Sequence, residues 1–329
     1  MNVENKKPYL IATSCDRKYG DFLIEHWLFS LQKNVDLSKI DILVLDYGLS
    51  KAQSFYLKNH NVLVKECKKD GHVVNLRFRD LLDFLNQNFY EQILICDGGD
   101  IIFQADISRL FEENTGTYRV VCERIGPFFE YFITPEYFYK EDIAALKETL
   151  LFNRTINAGF IIAPYEKFKL LCNFVIQKTK DMSNFGPDQI LINYLLYKEG
   201  FVELPVYYNF IPVTSNIEFE IKNGFFYDEN GNLIPVVHNA GNLSFFRAIE
   251  NFGYGEGYNI LKKDVLITLR AFYTSIHIMN KPRKEILKAF KKIENYFINL
   301  TEQNRIEYAT KEREIKKTLN IIKKFRSLK

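Results

Sequence analysis

The sequence predicts an α/β protein: a mostly parallel, buried sheet flanked by helices, followed by a helical C-terminal extension. Three observations carry that prediction. From Tyr9 to Val121, short β-rich runs alternate with stretches whose apolar residues recur every three or four positions. One run ends directly in a turn with two aspartates and two glycines, Asp97-Gly98-Gly99-Asp100. After about Lys262 the pattern changes to amphipathic helical faces and then to a strongly basic end.

The elements follow in order. Strands are expected at Tyr9–Ala12, Ile42–Leu45, Val62–Val64, Ile93–Cys96 and Val120–Cys122, and helices at Phe22–Leu31, Ser50–Lys58 and Val74–Phe89. Strands that alternate with helices imply crossover connections, hence parallel pairing with both sheet faces covered. In such sheets ligands bind beyond the carboxyl ends of the strands, where the strand order reverses. The second half, from about Thr155 to Gly257, is less regular. It holds an apolar run at Ala158–Ala163, helical stretches at Tyr165–Lys180 and Asp188–Glu199, and a looped region marked by Pro205, Pro212 and Pro235. Residues 1–260 are read as one domain and 261–329 as its extension.

In that extension Ile286, Phe290, Ile293, Phe297 and Leu300 lie on one helical face, and Lys311–Lys329 is dominated by Lys and Arg. Three uses are open: a docked helical hairpin with a solvated basic face, a peripheral contact with an anionic membrane, and a homodimer helix.

Composition narrows the class. The chain has 329 residues, 47% hydrophobic and 26% charged, with a net charge of only +3, so nucleic acid is not expected as a partner. Five scattered cysteines without a CxxC pair argue against a disulfide framework. The N-terminus has no apolar stretch of the signal-peptide kind, and no run reaches the length of a spanning helix. The expected location is cytoplasmic, with the inner membrane face as its peripheral variant.

The acidic turn carries the chemistry. Two glycines let Asp97 and Asp100 fold towards one point after a buried strand. Two carboxylates about 4 Å apart repel by roughly 4 kcal/mol at an effective dielectric near 20. A hard divalent cation, Mn2+ or Mg2+, removes that cost and is held by carboxylates together with substrate phosphates.

The run Gln92–Phe111, QILICDGGDIIFQADISRLF, resembles the metal-binding signature of GT-A glycosyltransferases, particularly glycosyltransferase family 8. Aligned on Asp106-Ile107-Ser108, Asp100 takes the place of the second aspartate of the family's Asp-x-Asp. The first falls on Gly98, and Asp97 lies one residue earlier, so this chain has Asp-x-x-Asp. That leaves Asp97 as a ligand of the metal or of the ribose. Further segments match in the same order. Tyr9–Ser14 resembles the opening strand whose following loop, with Thr13, Ser14 and Asp16, holds the base. Arg79-Asp80-Leu81-Leu82 is similar to the family's helix whose arginine meets the nucleotide. Ile156-Asn157-Ala158-Gly159-Phe160 resembles the Asn-Ala-Gly segment at the donor sugar. Gly186-Pro187-Asp188-Gln189 is similar to the Asp-Gln pair that faces that sugar, although Asp188 also reads as a helix cap. Val236–Gly241 resembles the His-x-x-Gly segment, in which His238 is the third metal ligand and the backbone around Asn239 and Gly241 meets the diphosphate.

The resemblance spans about residues 9–245. It implies a GT-A fold and a retaining hexosyltransferase, with a UDP-sugar as first-choice donor and a glycan, lipid or protein acceptor that the sequence leaves open. It further implies a cation on Asp97, Asp100 and His238, with Asp188 and Gln189 at the reacting sugar. Two alternatives stay open: a non-catalytic nucleotide-sugar or glycan-binding protein on the same scaffold, and a sugar nucleotidyltransferase. Against the latter, Thr13-Ser14-Cys15-Asp16-Arg17 lacks the expected glycine-rich loop.

Overall fold

A computed structural model describes residues 7–126, 132–150, 153–241 and 246–277. The periodic second half of the extension and the basic Lys311–Lys329 segment lie outside the described residues.

The main sheet is built from β1 (Tyr9–Cys15), β2 (Ile40–Asp46), β3 (Val62–Glu66), β4 (Gln92–Cys96), β6 (Tyr118–Cys122), β7 (Ile156–Pro164) and β8 (Phe201–Glu203). Their order is β3-β2-β1-β4-β7-β6-β8. All pairings are parallel except those of β7, which runs against β4 and β6. Strand β1 pairs with β2 on one side and β4 on the other. The crevice of a strand-order reversal therefore opens beyond their carboxyl ends, where Thr13–Asp16 and the acidic turn lie.

The unbroken apolar strands send successive side chains to opposite faces. Leu10, Ala12, Ile93 and Ile95 join one core layer, which contains Leu76, Phe78 and Leu81 of the Val73–Gln87 helix. Ile11, Leu94 and Cys96 join the other layer with Leu23, Trp27 and Leu31. Each fully buried aliphatic side chain contributes roughly 1.5–3 kcal/mol, so both faces of this sheet are committed to packing.

Helices occupy the expected places: residues 20–34 (with a π-helical turn at Leu23–Leu28), Lys51–Asn59, Val73–Gln87, Tyr165–Lys178 and Pro187–Glu199. Ser50 caps the second of these through a reciprocal pair with Gln53. One helix, Lys140–Leu150, has no counterpart among the sequence expectations. A small second sheet pairs β5 (Ile101–Phe103) with β11 (Val236–His238), so the chain leaving the acidic turn runs antiparallel to the strand that ends in His238. Hairpin β9 (Phe219–Lys222) and β10 (Phe225–Asp228) and the pair β12 (Ile249–Glu250) and β13 (Ile260–Leu261) complete the irregular half. The Lys263–His277 helix packs through Val265, Leu266, Leu269 and Phe272 onto Val213 and Ala248. No helix among the described residues is long and apolar enough to cross a membrane.

Candidate active site

The pairing of β5 with β11 aligns His238 with Ile101, and the Asn239 amide donates to the Asp100 carbonyl at 2.8 Å. The last residue of β11 is thereby brought against the acidic turn. His238 Nε2 lies 3.3 Å from Asp100 Oδ1 and 3.6 Å from Asp97 Oδ2. Ligand atoms of Asp97, Asp100 and His238 all fall within 4.8 Å of one another.

Two glycines explain the unusual acid spacing. A Cβ on Gly98 would stand 2.6 Å from the buried Thr13 Oγ1 and 3.1 Å from Leu23 Cδ1. The turn is pressed against β1 and the following helix there, so an aspartate at position 98 has no room. Asp97 sends its carboxylate to the cluster from one residue earlier instead. On the opposite side, a Cβ on Gly159 would meet His238 Cε1 at 2.6 Å and Asp97 Oδ2 at 2.7 Å. The absent side chain keeps the space between the acids and the imidazole free.

The charges are arranged around one buried guanidinium. Arg77 bonds Asp97 through Nη1 and lies 3.3 Å from both the Ala158 carbonyl and Asp188 Oδ2 through Nη2. Asp188 is the second residue of the Pro187–Glu199 helix; the capping position belongs to Gly186, in a left-handed conformation. Its carboxyl faces Arg77 and also accepts from the Gln189 backbone N–H in the first turn. Burial pushes the Asp188 carboxyl up to about 6, against the pull of Arg77. Burial also opposes charge on Asp100, yet His238 and then Arg247 hold it below the usual carboxylate range. The same carboxylates, Asp100 before Asp97, raise His238 despite its burial. Arg247 completes the ring, with Nη2 2.9 Å from Asp100 Oδ2 and Nε on the Gly241 carbonyl.

The cluster suits a hard divalent cation. The two carboxylates supply the oxygen donors such an ion takes and the imidazole adds a nitrogen donor of the kind transition ions accept, and their atoms are already gathered at a point that Gly159 leaves open. His238 Nδ1 bonds Asn209 Oδ1 at 2.9 Å, which turns Nε2 towards the acids, the outer-shell arrangement seen around metal-binding histidines.

The remaining expected residues distribute as follows. Thr13 is buried beneath Gly98 and Ser14 is half-buried beside the same turn. Asp16 pairs with Lys69 at 2.8 Å and, despite the cost of its burial, is held below the usual carboxylate range. Asn157 is buried, with Oδ1 accepting from the Gly159 and Asn209 nitrogens. Gln189 is half-buried one residue beyond Asp188. Asn239 is buried and bonds the Ile249 carbonyl, and Gly241 adopts positive φ.

Arg79 is not brought to the cluster. It binds Asp70, Asp80 and the Lys68 carbonyl. Residues two apart on a helix point about 200° apart, so the helix presents Arg77 to the acids and turns Arg79 aside. The signal for Arg77 was a cation on the helix's apolar stripe, four residues from Val73 and from Leu81. Arg247, Asn209 and Glu123 were also missed; none stands in a distinctive sequence pattern. Open cavities of about 440 Å3 lie elsewhere, one lined by Arg124, Arg154 and Glu203, the other by Lys51, Phe55 and Lys58. Neither holds a cluster residue, and the site is assigned on converging donor atoms.

No protein-family model matches the sequence, and no curated protein matches it. Solved structures do. A structure of the bifunctional glycosyltransferase WbbM without ligand aligns with 88% of this chain and 52% of its own, at 19% identity and a TM-score of 0.50. An active-site mutant of LgtC aligns over 72% of this chain and 89% of its own, at 17% identity and a TM-score of 0.48. The galactosyltransferase LgtC in complex with donor and acceptor sugar analogs gives 16% identity and a TM-score of 0.47. The chain thus spans about half the length of WbbM, and what the two share is the GT-A fold; in this chain the sheet has one reversed strand, β7, and is flanked by helices.

Proposed function

We propose that the chain is a glycosyltransferase that takes a sugar from a nucleotide-diphosphate donor with the help of a divalent cation, Mn2+ or Mg2+. The observation that carries the reading is the convergence of Asp97, Asp100 and His238 at the carboxyl end of β4, beside the backbone of Gly159. In this reading residues 1–260 form the catalytic domain, and 261–329 take no part in chemistry.

Asp97, Asp100 and His238 hold the cation, which when bound offsets the negative charge that grows on the departing diphosphate. Arg247, next to Asp100 and the Gly241 backbone, exchanges its carboxylate partner for a diphosphate oxygen and adds a charge-assisted bond there. Arg77 stays buried and holds the Asp97 and Asp188 carboxylates in fixed relative positions. Asp188, the carboxyl nearest to Asp97 through that guanidinium, faces the donor sugar with Gln189. Its charge stabilises the positive character that the anomeric carbon acquires in the transition state more than it stabilises the ground state. The β1 loop, Thr13 to Asp16, borders the nucleoside side, with a UDP-sugar as first choice.

The test is direct. The protein with Mn2+ is incubated with a panel of nucleotide sugars, and release of nucleoside diphosphate and the anomeric configuration of the product are read by NMR. A retained configuration with one donor is expected. Absence of turnover and of binding for every donor would overturn the reading.

A further inference from the structure

We propose that the cavity beyond the carboxyl ends of β6 and β8 is an acceptor subsite for an anionic group, the carboxylate or phosphate of an acidic oligosaccharide. The proposal rests on the glycosyltransferase reading above. It starts from a cavity of about 440 Å3 that the cation site does not use, lined by Arg124, Arg154 and Glu203 with Leu204, Pro205 and Val206.

The sheet brings the two arginines together. Strands β6 and β7 run antiparallel with Cys122 opposite Ile156. The pairing continues one residue further, where the Glu123 amide donates to the Thr155 carbonyl at 2.8 Å. One step beyond, the same register sets Arg124 opposite Arg154. Side chains directly opposite on antiparallel strands share a face, and like charges there repel. Strand β8 runs parallel to β6 and ends in Glu203, which relieves only one of the two. Arg154 binds that carboxylate through both Nη atoms, with Nη1 2.9 Å from Oε1. Arg124 is exposed, and its guanidinium has no hydrogen-bond or ion-pair partner among the described residues. Both cations stand on fixed backbone: the Tyr197 hydroxyl donates to the Arg154 carbonyl at 2.6 Å, and the Arg124 amide donates to the Thr214 carbonyl at 3.0 Å. The cavity thus sets two cations against one anion, and a second anion completes it. A guanidinium takes a carboxylate or a phosphate through paired N–H donors, while Leu204, Pro205 and Val206 offer an apolar wall to a sugar ring.

Position says which substrate brings that anion. Strands β4 and β6 both run against β7, so the cavity opens at the same end of the sheet as the acidic turn. Gly159, beside the cation cluster, is five residues along the chain from Arg154, or roughly 16 Å at the rise of a strand. The donor's nucleoside belongs on the β1 side of the acidic turn, and this cavity lies on the β7 side. Its ligand is therefore the other substrate, an oligosaccharide long enough to span from the reacting sugar to Arg124.

The experiment is a saturation-transfer NMR titration with glucuronate, glucose 6-phosphate, inorganic phosphate and glucose, beside a calorimetric titration of UDP with Mn2+. Glucuronate or glucose 6-phosphate should bind, and the tighter of the two identifies the anion as carboxylate or phosphate. Arg124→Gln should weaken that binding about 10-fold, the loss of one hydrogen bond to a charged group. Glu203→Gln should tighten it severalfold, because Arg154 is then released to the ligand. Neither substitution should alter UDP affinity. Glucose that binds as tightly as the charged sugars overturns the proposal, as does a failure of both charged sugars to bind. So does binding left unchanged by Arg124→Gln or weakened by Glu203→Gln. Inorganic phosphate as tight as glucose 6-phosphate would leave the sugar ring no role and overturn the acceptor assignment. If UDP does not bind wild type, the glycosyltransferase reading falls, and the opposite responses of Arg124→Gln and Glu203→Gln still decide the anion site.

Discussion

The two halves of the sheet contribute to the site in different ways. The half from β1 to β4 is built on largely apolar strands whose buried aliphatic residues join one of two core layers, and it delivers its acids through a tight turn just past the last strand. The irregular half, from β7 to β12, delivers its groups through polar bonds. Asn157, Asn209, His238 and Asn239 are buried and hydrogen-bonded to one another or to the backbone. The first half places charge by packing, the second by hydrogen-bond direction. In the first, substitutions of the turn acids should therefore act on charge and those of packed residues on stability; substitutions in the second should act on orientation.

The largest expected effect is at Asp100. Removing it with Asp100→Ala strips one carboxylate from His238 and from Arg247. A loss of several kcal/mol of charge stabilisation corresponds to roughly a thousandfold in turnover. The melting curve should stay close to wild type, and a collapse of the fold with no separable activity effect would break the distinction drawn here.

Arg77 and Arg79 sharpen it next, because they share a helix and differ in partners. Arg77→Met leaves Asp97 and Asp188 without their buried cation and should cost about 3–5 kcal/mol in chemical denaturation. Arg79→Met removes a partly exposed cation from Asp70 and Asp80 and should cost no more than about 1 kcal/mol, with cation affinity unchanged. Equal costs would contradict the geometry.

Much of the first half was legible from the sequence, and the reason is physical. Fully buried strands and amphipathic helices leave a periodic pattern, and Asp97 to Asp100 announces itself because two acids and two glycines follow an apolar run. Which arginine meets the acids was not legible from motif order, which gave Arg79 a place at the nucleotide and said nothing of Arg77. Helical phase carried a signal for Arg77 that went unread: three of its neighbours at three and four positions, Val73, Val74 and Leu81, are apolar. In the second half Asn157, Gly159 and His238 were visible as segments. Asn209, Glu123 and Arg247 were not, since a buried amide or acid defined by distant partners has no local signature. The loss of Asp-x-Asp spacing also became intelligible only once Gly98 was seen against Thr13.

Asp188 supplies the pH test. Its carboxyl titrates near 6 because burial outweighs Arg77, and the reading needs it charged. Turnover should fall as pH drops through about 6 and level off above it. Asp188→Asn should turn over more slowly, keep its affinity for nucleoside diphosphate, and lack that acid limb. An identical acid limb in the variant would assign the titration to another group.

The remaining effect is steric. Gly98→Ala should push the turn off Thr13 and destabilise the fold by about 1–3 kcal/mol, with a weakened cation site as the accompanying sign. Thr13→Ser, which keeps the hydroxyl, should not relieve the strain, whereas Thr13→Ala in the same chain should relieve part of it. A Gly98→Ala chain as stable as wild type would contradict the close approach.

The central claim is that Asp97, Asp100 and His238 hold a cation that in turn holds the donor's diphosphate. Calorimetric titration of UDP into the protein, with Mn2+ and with excess chelator, tests it most directly. The account predicts UDP binding that requires Mn2+ and disappears in Asp100→Ala, while that variant melts like wild type. Equal UDP affinity in chelator, or Mn2+ binding untouched by Asp100→Ala, would contradict it.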